Sequence, residues 1–264
     1  STGGNTTFTD AGTLKLSGAV TSLGTFTKAT NCTVEYDGGN QTVAALSGSP
    51  VSNSYYNLVI NGTGTKTLAG TSRIDGDLTL TASTFDLSNK TIYPKANITS
   101  SSGSITASGS ASITFNNSAS HNIAGINSSN ITLKTTSSSG TVTTAGNITC
   151  KSIDLTSGTQ TFVVDGEDVV VEDDIVVTAG TLQLTSGTIA TTLSTITLTS
   201  ESSITIGGTA AVLGNSSATA SLTGTAISNI SLATSSGAET AINFVSVSPL
   251  AKYIISVLIY KRSW

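Results

Sequence analysis

Short runs in which Val, Ile or Leu alternates with Thr or Ser recur along this chain, separated by clusters of Gly, Asn and Ser. A period of two sends successive side chains to opposite sides of an extended backbone, so each run predicts a half-buried β-strand and each cluster a turn. Before Pro249 no stretch places apolar residues at the spacing of an amphipathic helix, so no helix is predicted and no helical cap at either end. The segment 74–92, IDGDLTLTASTFDLSNKTI, returns ninety-seven residues later as 171–189, VEDDIVVTAGTLQLTSGTI, with looser copies at 146–159 and 11–20. Each copy reads as a turn, an alternating run, a small-residue bend and a second alternating run, which is the pattern of one β-solenoid rung.

The expected fold is therefore all-β: a mainly parallel β-solenoid, drawn as a right-handed β-helix of roughly ten to twelve rungs at about 20–25 residues each. It would occupy residues 1–249, divisible into similar halves at about 1–96 and 97–249, with residues 250–264 as a C-terminal strand or tail. The Ser-rich part, residues 97–149, reads as continued rungs rather than a linker, because Ile98, Ile105, Ile113, Phe115, Ile123, Ile131 and Leu133 keep the strand rhythm. Residues 148–214 are the most apolar and should be the best buried. In the tail, Tyr253, Ile254, Ile255, Val257, Leu258, Ile259 and Tyr260 form a run of high β-propensity. It is shorter than the ~20 residues a membrane-spanning helix needs. Two readings stay open for it: a last strand folded onto its own core, or a strand donated to a neighbouring subunit.

Three runs in the first third share an order of residues: V-x-Y-x-G-x-x-Q-T-V from Val34, Y-Y-N-L-x-x-x-G-x-G-T-K-T-L from Tyr55, and G-x-L-T-L from Gly76. Over about residues 33–92 this resembles modules of large secreted bacterial surface proteins of the filamentous-haemagglutinin and β-strand-repeat type. The resemblance implies a β-helical, adhesin-like fold and brings no catalytic site with it.

Composition narrows the function. Charged residues are 10% and aromatic residues 5%, Met is absent, and Ser with Thr make up about a third of the chain, yet mean hydropathy is +0.19. A disordered chain of this composition would lack the apolar side of each run. Net charge is −4 and the pI about 4.8, with basic residues scattered, which argues against a phosphate-tracking nucleic-acid surface. Cys32 and Cys150 make no disulfide framework; lying several rungs apart, they are expected as buried free thiols more readily than as a bridge. A start at Ser1 without Met is what a processed secreted chain shows, and the expected location is extracellular or cell-surface.

Candidate chemistry is sparse. Asp165, Glu167, Asp168, Glu172, Asp173 and Asp174 crowd six carboxylates into ten residues and could hold a structural Ca²⁺, although the spacing fits neither an EF-hand loop nor the nonapeptide Ca²⁺ repeat and suits two solvated turns better. Otherwise no cofactor is expected. Sequons occur at Asn5, Asn31, Asn40, Asn61, Asn89, Asn97, Asn116, Asn127, Asn130, Asn147, Asn215 and Asn229, twice the roughly six that chance gives. They read either as glycosylation sites of a glycoprotein or as Asn at rung corners. His121 is the lone histidine, so a Ser-His-Asp site is disfavoured. Tyr55 and Tyr56 are expected to pack a turn.

The function expected is structural and non-enzymatic: a subunit of an extracellular filament or adhesin that self-associates head to tail through unpaired terminal rungs and the C-terminal strand. The alternative is a carbohydrate-binding or polysaccharide-cleaving β-helix, contacting a host or matrix polysaccharide, in which Arg73 or a lysine meets Asp75, Asp77 or another carboxylate in one groove. An ice- or surface-binding solenoid with a flat array of outward Thr, hinted at by residues 195–199 (TITLT) but without regular spacing, is the third. No membrane span and no nucleic-acid partner are expected.

Overall fold

The computed structural model describes residues 4–50, 52–155, 160–173, 175–177, 180–191, 195–198, 202–208, 212–213, 221–223 and 229–234. Among them there is no helix, and strands pair in parallel to build a β-solenoid of about eight turns. Each turn lays one strand on each of three faces. The first face runs from Thr13–Leu16 through Thr33–Tyr36, Asn57–Ile60, Leu78–Leu80, Ile98–Ser100, His121–Ile123 and Thr141–Thr144 into residues 161–164 and 180–184. Its register, Leu14 to Val34, Leu58, Leu78, Ile98, Ile123 and Thr144, then Val142 to Phe162 and Leu182, advances 20 to 25 residues per turn. At ~4.8 Å between strands, eight turns span roughly 38 Å. Strands Ser202–Gly208 and Asn229–Thr234 continue the same face.

Alternation decides which residues form the core. Leu78, Leu80, Phe85, Ile92, Ile98, Ile105, Ile113 and Phe115 are at most 1% exposed, while the intervening Thr79, Thr84, Tyr93 and Ser104 reach the surface. One apolar cluster runs unbroken from Leu23 to Ile189, each buried Leu, Ile or Phe contributing about 1.5–3 kcal/mol by removal from water. Residues 97–149 are strand-forming, and the isoleucines expected inward there are buried.

The internal repeat needs a correction. Its copies are not rungs stacked on one face. In residues 74–92, Leu78–Leu80 lies on the first face and Thr84–Asp86 on the second, whereas in residues 171–189 the matching Ile175–Val177 lies on the third face and residues 180–184 on the first. The looser copies put Ile148–Cys150 on the second face, through the bridges Ile105–Ile126 and Asn127–Thr149, and Thr13–Leu16 on the first. What recurs is a strand with its corner, because every face offers the same environment: one side inward and one side to water.

Corners are fixed by side-chain amides and carboxylates. At the corner entering the first face, Asn57 Oδ1 accepts the Asp77 N–H (3.0 Å), Asp77 Oδ1 the Asn97 N–H (3.0 Å), and Asn97 Oδ1 the Asn122 N–H (2.9 Å). Each turn thus satisfies a backbone donor of the next.

The residues that carry the three-run pattern are internal staples. Tyr36 and Tyr55 point inward and their hydroxyls meet at 3.2 Å; the Tyr36 hydroxyl accepts Ala44 N–H (3.0 Å), and that of Tyr55 donates to Ala44 O (2.6 Å). Burial pushes the pKa of both phenols up. Gln41 donates to Leu16 O (2.5 Å) and Gly18 O (2.8 Å) and accepts Gly38 N–H (2.9 Å), joining successive turns. Lys66, fully buried, donates to Gly38 O (2.9 Å), Gly39 O (2.8 Å), Thr63 O (2.7 Å) and Ser83 Oγ (3.3 Å). Gly62 stands beside this corner at φ 74°, and a Cβ there would lie 2.1 Å from Asp37 O, so backbone of the neighbouring turn excludes any side chain.

Candidate functional site

Charge gathers at one corner of the rod, on the third face near its N-terminal end. Arg73 ends up outward because Ser72 and Ile74 on either side of it are buried. Its guanidinium grips Asp75 with Nε on Oδ1 (2.7 Å) and Nη2 on Oδ2 (3.1 Å), and Nη1 reaches Pro50 O (3.3 Å). Lys28, from one of the first turns, also donates to Asp75 Oδ2 and to Ser54 Oγ, and Ser54 Oγ–H donates to the same carboxylate oxygen (2.8 Å). Burial works against ionisation of Asp75, but Arg73, Lys28 and Ser54 together outweigh it and hold its pKa at about 2.

One turn further along, Lys95 occupies the position beside Asp75 and donates to Asn116 Oδ1 (2.6 Å). Its pKa is lowered, first by burial and then by the Arg73 charge. Below it His121 is 1% exposed, with Nδ1 2.7 Å from Ala96 O, Nε2 2.9 Å from Asn117 Oδ1 and its ring 5.0 Å from that of Phe115. Asn117 Nδ2 in turn donates to Lys95 O (2.9 Å), so the histidine ties two corners together. Burial pushes its pKa down.

Arg73 and Asp75 therefore converge, as the carbohydrate reading requires, but Asp77 is turned away to hold Asn97 N–H. Lys28, Ser54 and Lys95 complete the corner, and sequence reasoning passed over all three. The signal was the turn length: Lys28 and Ser54 lie 26 residues apart, and Asp75 and Lys95 lie 20 apart, each near one circuit of the coil. Chemically the corner is an ion-pair network in which a carboxylate ionised at neutral pH is shared by two cations, a poor general acid and a good fixed charge.

The other candidates disperse. Asp165 and Asp168 are exposed at the bend between residues 161–164 and 169–171, where Gly166 has φ 83° and Asp168 N–H donates to Asn147 Oδ1 (3.0 Å). Glu172 N–H and Asp173 N–H donate to Cys150 O (3.0 Å) and Lys151 O (2.7 Å), continuing the stack one turn on. Among the described residues no group of three metal-ligating side chains comes together, and Asp174 lies outside them. Cys32 and Cys150 are free, buried and five turns apart, about 24 Å at the strand spacing, and burial pushes the Cys150 thiol up to about 12.

Several sequons have a structural explanation. Asn97, Asn130 and Asn147 each stand at a corner, followed by an inward Ile and an outward Thr, so N-I-T spells corner, core and surface. Asn61 Nδ2 donates to Glu35 Oε1 (2.8 Å) and Asn130 Nδ2 to Ala107 O (2.9 Å). Asn5, Asn31, Asn40, Asn89, Asn116 and Asn127 are exposed, Asn31 with φ 62°. Asn215 lies outside the described residues, and Asn229 opens the strand Asn229–Thr234. The run Tyr253, Ile254, Ile255, Val257, Leu258, Ile259 and Tyr260 lies outside them as well. On the second face an outward column reads Thr42, Thr67, Asp86, Thr106; Asp86 interrupts the hydroxyls and turns its Oδ1 to Ser88 N–H (2.8 Å) and Ser108 N–H (2.9 Å). A shallow groove of about 360 Å³ borders that column at Asn40, Thr42, Thr65 and Thr67 and is lined by no titratable side chain. Set against models of protein families, curated proteins and solved structures, the chain matches none, so its own geometry carries the functional reading.

Proposed function

We propose that the chain is a structural subunit of an extracellular filament or surface adhesin and that it associates end to end with further copies of itself. The observation that carries this reading is the N-terminal end of the first face. Strand Thr13–Leu16 pairs with Thr33–Tyr36 on one side, and among the described strands none pairs with the other. Leu14 and Leu16 pack on the core there while remaining half-exposed, so apolar surface and unpaired backbone coincide. Such an edge accepts an added parallel strand; its one charge, Lys15, is paired with Glu35 at 2.9 Å on the adjacent strand. The resemblance of residues 33–92 to secreted surface-protein modules points the same way, as does a surface of Ser and Thr with few charges. The apolar run from Tyr253 to Tyr260 has the composition such an added strand requires.

In a parallel pair alternate residues direct their N–H and C=O to opposite edges. Thr33 N–H and Asp37 N–H bond to Gly12 O and Leu16 O, which leaves Thr13 and Lys15 facing the open edge. Lys15→Pro removes a donor from that edge and keeps the bonds to Thr33–Tyr36. Electron microscopy and light scattering of the unaltered chain should show rods many times the ~48 Å that the eleven described first-face strands span. Lys15→Pro, and separately deletion of residues 250–264, should give short single rods. Monodisperse short rods from the unaltered chain, or equal filaments from all three, would overturn the proposal.

A further inference from the structure

We infer that the Arg73 corner is a binding site for an acidic, uronate-type polysaccharide; this goes beyond the assembly reading and does not depend on it. In a chain of net charge −4 this corner is reversed in sign. Lys28, Arg73 and Lys95 surround the single carboxylate of Asp75, which already satisfies two of them. Lys95 is drawn into the same field, its ammonium destabilised in part by Arg73. An added carboxylate would relieve that repulsion and share the charge-assisted hydrogen bonds lysine offers.

The register makes this a track along the rod. Tyr55 bridges Ile74, and Arg73 pairs with Tyr93, so Arg73 and Tyr93 form one outward column beside the buried Ser54; Asp75 and Lys95, following Ile74 and Pro94, form the next. Tyr93, partly exposed, puts an aromatic ring beside the cations, and the exposed Asn116 adds a polar group able to meet sugar hydroxyls. A pyranose offers an apolar ring face, a rim of hydroxyls and, in a uronate, one carboxylate; this corner offers the complement of each. Successive turns are ~4.8 Å apart, close to the length of one sugar residue, so neighbouring rings of a linear polyuronate would meet neighbouring turns.

The test is calorimetric titration of the full chain with a short oligogalacturonide, neutral dextran and dextran sulfate, repeated with Lys95→Ala and Tyr93→Ala. Both side chains are partly exposed on the outer surface, and thermal unfolding of each variant checks that the fold is kept. Oligogalacturonide should bind, weaken with added salt, and lose affinity about tenfold or more in each variant, as expected for one charge-assisted hydrogen bond or one stacked ring. Electron microscopy of Lys95→Ala should show assembly unchanged, which separates this site from the terminal edge. Dextran binding equal to oligogalacturonide binding, or variants that bind like the parent, would overturn the inference. Dextran sulfate bound without dependence on Tyr93, and oligogalacturonide not bound, would overturn it too, because the corner would then be an unselective anion patch.

Discussion

Replacing Lys66 by Met tests whether buried polar staples hold the first turns together. Methionine matches the lysine stem in length and flexibility, so packing inside the coil is nearly conserved and the substitution isolates the ammonium. What is lost is a donor to four acceptors, Gly38 O, Gly39 O, Thr63 O and Ser83 Oγ, at 2.7 to 3.3 Å. Hydrogen bonds from a charged donor contribute about 1.5–3 kcal/mol each, but Gly39 and Thr63 are exposed and water can replace the lysine at their carbonyls. Removing the ammonium also removes its desolvation cost. The expected net loss is about 2–4 kcal/mol, and Lys66→Ala should cost more, about 3–5 kcal/mol, because the stem is lost as well. Urea denaturation gives the magnitude, and amide hydrogen exchange gives the location: protection should fall at the corners around residues 38–40 and 62–64 before it falls at Leu133 or Ile153. Desolvation of a buried ion can exceed its attraction, so a Lys66→Met chain as stable as the parent, or more stable, would refute the claim that the ammonium is stabilising.

Acid should weaken the rod in two stages. His121, whose pKa is lowered in the folded chain, takes up its proton more readily when unfolded, so stability falls as pH drops below 6.5. Asp75 then loses its contribution as pH falls from 3.8 toward 2; that shift corresponds to ~2.4 kcal/mol, nearer ~1–2 once solvent screening of a side chain 22% exposed is allowed for. Urea midpoints at pH 7, 5 and 3 should step down twice, Asp75→Asn should remove the lower step, and a flat profile would contradict both assignments. Thiol reagents should leave Cys32 and Cys150 untouched in the native chain and modify both in urea; rapid native labelling of either would contradict their burial. If the chain is made in a host that glycosylates Asn, peptide mass spectrometry should find sugar at Asn5, Asn89 or Asn127, where the side chain is exposed, and not at Asn61 or Asn130, whose Nδ2 is committed internally.

Alternation made the fold class legible. Leu78-Thr79-Leu80 and Ile131-Thr132-Leu133 place their outer members inward and the Thr outward, as a period of two dictates. The turn length was legible as well, at 20 to 25 residues between Leu14 and Leu182. The rest was not, for two physical reasons. Inward polar residues break the code: Gln41 and Lys66 occupy core positions because corner carbonyls of adjacent turns are within their reach, and nothing local announces those carbonyls. The charged corner depends on register, and register depends on the lengths of the intervening bends. Arg73 and Asp75 could be paired from their spacing of two, but Lys28 and Lys95 join them only once the register is known, with 19 residues from Tyr55 to Ile74 and 20 from Arg73 to Tyr93.

The interchangeable faces bear on how such a chain lengthens. A strand with its corner, seen in residues 74–92 on one pair of faces and in 171–189 on another, fits any side of the triangle. Duplication or loss of a single unit therefore leaves every inward residue inward and rotates all that follows by a third of a circuit. The core tolerates such a change, while a surface column such as Thr42, Thr67, Asp86 and Thr106 would be split between two sides. A change in length would therefore be felt first in the outer decoration of the rod, in steps finer than a whole coil.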